Sequence, residues 1–243
     1  MLEIKMHDGP ARLGIHDELV TPGLLRPDGL FNILKDEPMP YDVPEPLAQF
    51  SVQKTIQYAR ESEKTGIAVI HGSKYLNLRI ECALELEKLG NHILMVANPE
   101  ELLKRPRDLI KLVVNIRQQI NPNTGLYFPF AKMPFIPLLA YLGVDFFGDR
   151  TNDYYAQLGM ITTPQNIYNQ KNYQIYDFST QELKEFNHRT MDFVLREIRE
   201  NIRNGTLRNL VEERCCSSTE TMSALKILDR DYSEFLDKYT QLY

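Results

Sequence analysis

Ile67-Ala68-Val69-Ile70-His71-Gly72-Ser73 decides the fold: four apolar residues in a row, closed by a histidine, a glycine and a serine. Upstream of it Gln49–Thr65 has helical periodicity and stops at Gly66. Downstream Lys74–Leu89 is helical again, with Leu76, Ile80 and Leu84 straddling its faces and Gly90 as the stop. The same unit returns along the chain. Ile93–Val96, Leu126–Phe130 and Val144–Phe147 are further apolar runs, with helical stretches at Pro106–Ile120 and Phe135–Leu142. Short apolar runs alternating with helices predict parallel βα units, because strands covered on both faces have no polar side to show.

Either side of this block the pattern changes. Residues 1–35 read as short strands and turns, punctuated by Asp8-Gly9-Pro10 and Thr21-Pro22-Gly23. Pro38, Pro40, Pro44 and Pro46 predict an extended crossing over 36–47, since proline fixes φ and removes a donor. Beyond residue 180 the chain is helical, over Thr180–Asn204, Leu207–Glu213 and Thr219–Leu242. A complete (β/α)8 barrel takes about 250 residues, so a helical tail of this length leaves room only for a reduced one. The expected architecture is α/β: a shortened or degenerate TIM-type barrel over 1–182 with an N-terminal β-rich segment, then a C-terminal helical segment over 183–243.

The 243 residues carry a formal net charge of −5 and are 43% hydrophobic, which are ordinary globular values. Three cysteines, two of them adjacent at Cys215 and Cys216, give no disulfide framework and suit a reducing compartment. No run approaches the ~18 apolar residues of a membrane span, and the N-terminus lacks the apolar core of a secretory signal. These features predict a soluble, cytoplasmic protein without membrane contact. The acidic balance argues against nucleic-acid binding by bulk charge and leaves a local basic face open.

The five histidines (His7, His16, His71, His92, His188) are scattered, and neither Cys-x-x-Cys nor His-x-x-x-His spacing occurs, so no metal and no cofactor is expected. Cys215 and Cys216 read as small helix-end residues. His71, Gly72 and Ser73 fall at a strand's carboxyl end, where α/β folds place their sites, so they are candidates for a ligand pocket. The alternative for His71 is a hydrogen-bonded structural role. Asp145 and Asp149 flank Phe146-Phe147-Gly148 and are candidates for acid/base or nucleophilic work. Asp149 also reads as the cap of a following helix.

Within Thr180–Asn204, Arg189, Arg196 and Arg203 recur at seven-residue steps with Arg199 beside them, a basic stripe that faces RNA, a partner or water. Over residues 183–214 seven basic side chains meet six acidic ones, so a solvated, salt-bridged face is the simpler reading.

Several segments taken in order resemble the tRNA-guanine transglycosylase superfamily, and most nearly the N-terminal transglycosylase-like region of archaeosine synthase. They are His7-Asp8-Gly9-Pro10-Ala11-Arg12-Leu13-Gly14 with Thr21-Pro22, then Val69 through Arg79, then Leu126-Tyr127-Phe128-Pro129-Phe130-Ala131. Leu138 through Phe147, Leu195 through Arg199 and Leu207 through Arg214 complete the series. The resemblance implies a barrel, a tRNA substrate and a set of transglycosylase residues, which this chain largely lacks. The Asp-Ser-Gly-Gly-Phe-Gln segment that supplies an acid/base aspartate is missing. The base-reading glutamine falls on His71 and the Gly-Gly pair on Ala97-Asn98, which adds Asn98 to the candidate pocket. The nucleophilic aspartate falls on Gly148, with Asp149 one residue late, an offset worth about 100° on a helix. The Cys-x-Cys-x-x-Cys zinc cluster has no counterpart between Met160 and Glu182, and the zinc histidine falls on Phe186 or, with a gap, on His188.

A transglycosylase scaffold without its chemistry is the profile of the archaeosine-synthase branch. That resemblance implies a subunit of a split synthase acting on 7-cyano-7-deazaguanine at position 15 of tRNA. A nitrogen donor, lysine or another amine, is added to the nitrile there. A partner chain would carry the remaining regions, including a PUA domain, while this chain serves as scaffold. The alternatives are a stand-alone tRNA-guanine transglycosylase using Asp149, and a non-catalytic interaction module.

Overall fold

The computed structural model describes residues 1–27, 32–62 and 65–239. Leu2–Asp8 (β1), Ala11–His16 (β2) and Leu19–Thr21 (β3) make an antiparallel sheet in the order β1-β2-β3. There follow Gly23–Leu25 (β4), Glu45–Glu61 (α1), Ile67–Ile70 (β5), Leu76–Lys88 (α2), Ile93–Val96 (β6) and Pro99–Leu103 (α3). Next come Pro106–Gln119 (α4), Gly125–Phe128 (β7), Ile136–Tyr141 (α5), Phe146–Gly148 (β8) and Arg150–Gln157 (α6). A hairpin of Met160–Thr162 (β9) and Ile167–Asn169 (β10) leads through Gln170–Tyr173 (α7) into Thr180–Asn204 (α8). Leu207–Cys215 (α9), Thr219–Asp231 (α10) and Ser233–Asp237 (α11) finish the described chain.

Five strands form one parallel sheet in the order β4-β8-β7-β6-β5. Beyond β5, Ile33 makes a parallel bridge with Ile67, so the segment around residue 33 lies along that edge. The two faces differ. Ala68, Ile70, Leu94, Val96, Leu126, Phe128 and Phe147 join the helices in the main core. Leu25, Ile67, Ile93, Tyr127 and Phe146 gather on the other face with Leu19 and Met95 and no helix residue. The apolar runs thus have no polar side, as expected, although helices cover only one face. Val194, Ile198 and Ile202 of α8 and Leu207 of α9 sit in the same main core as the strands. Each such buried side chain contributes about 1.5–3 kcal/mol by leaving water.

The strands at Ile67–Ile70 and Ile93–Val96 and the helix Thr180–Asn204 have the expected bounds. The long helix is closed by a Ser179–Glu182 capping box and by Gly205 at φ +67. Elsewhere the structure corrects the sequence reading. The first helix begins at Glu45, inside the proline segment, because Pro46 falls in the first turn, where a missing N–H costs nothing. In α2 the buried face is Leu78, Arg79, Cys82, Ala83 and Leu86, which the sequence reading did not single out. The expected helix over Thr219–Leu242 divides at Tyr232, whose φ of −139 is not helical. Residues 240–242 of that helix, and 63–64 of the expected Gln49–Thr65 helix, lie outside the described residues.

Candidate functional site at the carboxyl ends of the strands

Asp145 lies at the amino-terminal end of β8, at the opposite end of the sheet from a strand mouth. It is 1% exposed. Arg12 Nε donates to Oδ1 at 3.1 Å and Arg12 Nη2 to Oδ2, while Arg117 Nη1 approaches Oδ2 at 3.4 Å. The backbone N–H of Leu126 also donates to Oδ2, at 2.8 Å. Burial, reinforced by Arg12, pulls the Arg117 guanidinium down to about 9. With four donors on it and almost no exposed surface, the carboxylate has no open face for a substrate. Asp145 therefore joins the N-terminal hairpin to the sheet, which corrects its reading as a catalytic candidate.

The mouth is built differently. His71 directly follows β5, is 3% exposed, and its Nε2 lies 2.7 Å from Asp36 Oδ2. Asp36 comes three residues after the bridge at Ile33 and is partly open to solvent. Nδ1 of His71 and Oγ of Ser73 are both buried and make no hydrogen bond among the described residues. The backbone is strained in the same place: φ is +137 at Gly72, +51 at Ser73 and +56 at Asn98. Glycine is required at 72, because a Cβ there would come within 2.6 Å of the Arg79 nitrogen.

Arg79 explains the strain. Its guanidinium is fully buried and donates to the carbonyls of Ser73 (2.6 Å), Ile70 (3.3 Å) and Ala97 (3.0 Å), and to Asn98 Oδ1 (3.0 Å). Asn98 Nδ2 in turn donates to Met39 O at 2.9 Å. Among the described residues the cation has no carboxylate partner, and burial pulls it down to about 10. One arginine thus ties together the turns after β5 and β6. Asn98 belongs to this clasp with its side chain engaged at both ends, so of the four expected pocket residues only His71 and Ser73 keep polar atoms to spare.

Asp149 stands at the N-cap position of α6 without capping it. Its Oδ2 accepts from Arg26 Nε at 2.5 Å instead. One residue earlier, a Cβ on Gly148 would overlap the Pro129 carbonyl oxygen and crowd the Tyr127 hydroxyl. Burial, with Asp149 nearby, pushes the Tyr127 phenol up to about 12.

Of the basic stripe, Arg189, Arg196 and Arg199 line a cleft of about 470 Å³ between α8 and β3–β4, while Arg203 lines a separate one beside His7 and Asp8. His188 Nε2 lies 2.7 Å from Asp153 Oδ1, which links α8 to α6. Tyr168, Tyr173, Tyr176, Phe178 and Phe186 stack along the hairpin region, with neighbouring ring centroids 4.8–6.4 Å apart. Among the described residues no group of His, Cys, Asp and Glu is arranged to hold a metal. Aromatic packing occupies the region where the resemblance puts a zinc cluster.

Asp36, Arg79 and Arg26 were not singled out from sequence. Arg79 was the legible one: an arginine among Leu78, Cys82 and Leu86 on a helix face needs buried acceptors. Asp36 and Arg26 carry no such signal, since their partners lie 35 and 123 residues away.

No family model matches the chain. Over 135 residues, 55% of its length, it is 36% identical to the archaeosine synthase of Methanocaldococcus jannaschii, covering 22% of that protein. It is 27% identical over 230 residues to the tRNA-guanine(15) transglycosylase of Thermococcus kodakarensis, covering 84% of this chain and 40% of the relative. Archaeosine synthase subunit alpha of Thermoplasma acidophilum is 27% identical over 155 residues, or 63% of this chain and 27% of that one. The chain is therefore related to the tRNA-guanine transglycosylase superfamily. Within it, the chain carries an archaeosine-synthase-like region. It spans well under half the length of these relatives. Among the described residues no helix is long and apolar enough to cross a membrane.

Proposed function

We propose that this chain is the transglycosylase-like part of an archaeosine-synthase-type tRNA-modifying enzyme. It holds tRNA bearing 7-cyano-7-deazaguanine at position 15 while an amine adds to the nitrile. The scaffold is a reduced TIM-type barrel. That reading draws support from helices on one face only, and from a small apolar cluster on the other face that draws on both edge strands. The addition forms one C–N bond and opens one C≡N π bond. A proton passes from the amine to the nitrile nitrogen and nothing leaves. Such chemistry needs no aspartate nucleophile.

The observation that carries this reading is Gly148. The position matched to the transglycosylase nucleophile admits no side chain, and the neighbouring Asp149 is already paired with Arg26. Among the described residues the stand-alone transglycosylase reading has no other carboxylate next to β8 at that strand end. Among the described residues His71 Nδ1 and Ser73 Oγ have hydrogen-bonding capacity to spare for a base, as do Thr151 Oγ1 and Asn152 Nδ2 just beyond β8. The remaining regions, a PUA domain among them, would come from a partner chain.

The test is lysine transfer to cyano-deazaguanine-bearing tRNA, with this chain alone and then with its co-purifying partner. Activity from the pair alone supports the reading, and activity from this chain alone overturns the partner assignment. In the pair, His71→Asn should raise KM for tRNA and leave kcat nearly unchanged. A fall in kcat at constant KM would move the chemistry into this chain.

A second reading, an interaction module whose pocket has closed, is favoured by one observation: His71 is 3% exposed. It predicts that His71→Asn changes neither constant.

A further inference from the structure

Ser73 also lines a small cavity set apart from the strand mouth. The cavity, about 70 Å³, lies between the start of α2 and α4, with Tyr41 on its wall, and His71 is not among its lining residues. A single water needs about 10–15 Å³ of such space, so there is room for a few waters or for one group the size of a phosphate or carboxylate. Three kinds of donor converge on it. Ser73 is 1% exposed, and its hydroxyl has no partner among the described residues. Arg79 is equally buried, and its five N–H groups make four bonds among the described residues, none of them to a carboxylate, which leaves one N–H on Nη2. The third is the start of α2, a 13-residue helix whose N-cap residue, Tyr75, gives no side-chain cap, so its first-turn amides are unanswered.

The charges of the other lining residues do not answer Arg79. Lys74 Nζ is paired with Asp42 at 2.5 Å. Asp108, the one carboxylate on the wall, accepts from the Tyr41 hydroxyl at 2.8 Å. Lys111, also on the wall, is exposed and has no carboxylate partner among the described residues. Water in the cavity would satisfy the Ser73 hydroxyl and leave the buried guanidinium without a counter-charge. An oxyanion satisfies both, and it meets helix amides that favour negative charge. What selects the occupant is thus a buried set of donors with no acceptor, in a space of one charged group, and not the charge balance at the rim.

We infer that this cavity binds one small oxyanion, held by Ser73 Oγ, Arg79 Nη2 and the first-turn amides of α2, with Lys111 at the rim. The oxyanion is a phosphate or a carboxylate, free or as the end group of a larger ligand. Pockets for whole drug-sized ligands run to about 300–1,000 Å³, so only the charged group itself enters. A hydroxyl donates once and accepts twice, so Ser73 can give its proton to the anion and a lone pair to a base at the mouth. The site is independent of the nitrile chemistry.

The experiment titrates the full chain with inorganic phosphate and, separately, with acetate, by isothermal calorimetry in chloride buffer at constant ionic strength. Ser73→Ala should weaken the tighter anion by about 10- to 100-fold, the worth of a hydrogen bond to a charged group. The variant keeps the Arg79 clasp, which uses only the Ser73 carbonyl. Lys111→Gln, at the exposed rim, should weaken it by about 2- to 5-fold, an effect that fades as salt rises. In a second measurement the bound anion should raise the wild-type Tm above its value in chloride, and Ser73→Ala should lose that excess. Failure of both anions to bind, or wild-type affinity in Ser73→Ala, would overturn the inference. Preference for phosphate assigns the site to a phosphorylated ligand, and displacement of an unmodified tRNA transcript by phosphate makes that ligand the RNA backbone. Preference for acetate assigns it to a carboxylate. Ser73-dependent anion binding alongside absent lysine transfer would sink the synthase reading and leave this site standing. Lysine transfer by a chain that binds neither anion would sink the site alone.

Discussion

At the amino-terminal end of the parallel sheet Asp145 is held by two buried arginines and a backbone amide. At the carboxyl-terminal end His71 and Ser73 bury polar atoms that have no partner among the described residues, where the backbone turns to positive φ at Gly72 and Ser73. Both ends are buried and both contain arginine, yet they do opposite things. The lower cluster answers its central charge, so its residues stabilise the fold and expose nothing to a ligand. The upper cluster leaves hydrogen-bonding capacity unspent, which costs stability and is the condition for binding something. Buried polar residues can therefore be sorted by whether their hydrogen bonds are complete.

The largest test of this contrast is Asp145→Ala. Two arginines would be left buried without their counter-ion, a loss of about 3–5 kcal/mol, or roughly 6–20 °C in Tm for a chain of this size. A calorimetric Tm within a degree or two of wild type would break the comparison at its stable end. At the mouth the sign reverses. Ser73→Gly relieves a left-handed φ and removes an orphaned hydroxyl, so it should stabilise by about 1 kcal/mol while weakening binding of the tRNA substrate. Destabilisation by denaturant melting would mean that Ser73 already has a structural partner.

A smaller effect is expected at the edge of the mouth. Asp149→Asn removes a pair whose arginine is mostly exposed and should cost no more than about 1 kcal/mol. It should also leave tRNA-guanine exchange as absent as in the wild type. Exchange activity abolished by this substitution would restore Asp149 as a nucleophile.

The smallest effect is a pH dependence at the stable end, where His16 packs edge-on against Phe146 with ring centroids 6.0 Å apart. Burial, and then the nearby N-terminal charge, lower its pKa, so the folded protein holds the imidazole neutral. The unfolded chain takes up a proton near pH 6.5. His16 therefore supports the fold fully above that value, and the support is lost as pH falls toward the lowered folded pKa. The drop in Tm between about pH 7.5 and about pH 5 should shrink in His16→Gln. An unchanged drop would assign the acid sensitivity to other groups.

Much of the fold was readable because its signals are local. Ile67–Ile70 and Ile93–Val96 are apolar on both faces, and Thr180–Asn204 starts at a capping serine and stops at a glycine, so periodicity and caps bound them without reference to the rest of the chain. The hairpin at Met160–Asn169 was missed because its strands are three residues each and most of the aromatics stacked along it come from α7, the loop after it and α8. His71, Gly72 and Ser73 stand out by place, at the end of a buried strand that the sequence order alone marks. Asp145 and Asp149 look alike in sequence, each a carboxylate beside the same Phe-Phe-Gly.

The sequence by itself determined the βα alternation, the helical tail and the likeness to the transglycosylase superfamily. Those depend on residue type and spacing along one chain. Only the tertiary structure decided which aspartate is consumed by arginines, that Gly148 is walled in by Pro129, and that Arg79 rather than a ligand engages Asn98. Each of those depends on groups far apart in sequence meeting in a medium without water. There the count of available donors, not the type of the acceptor, determines whether a side chain is free to act.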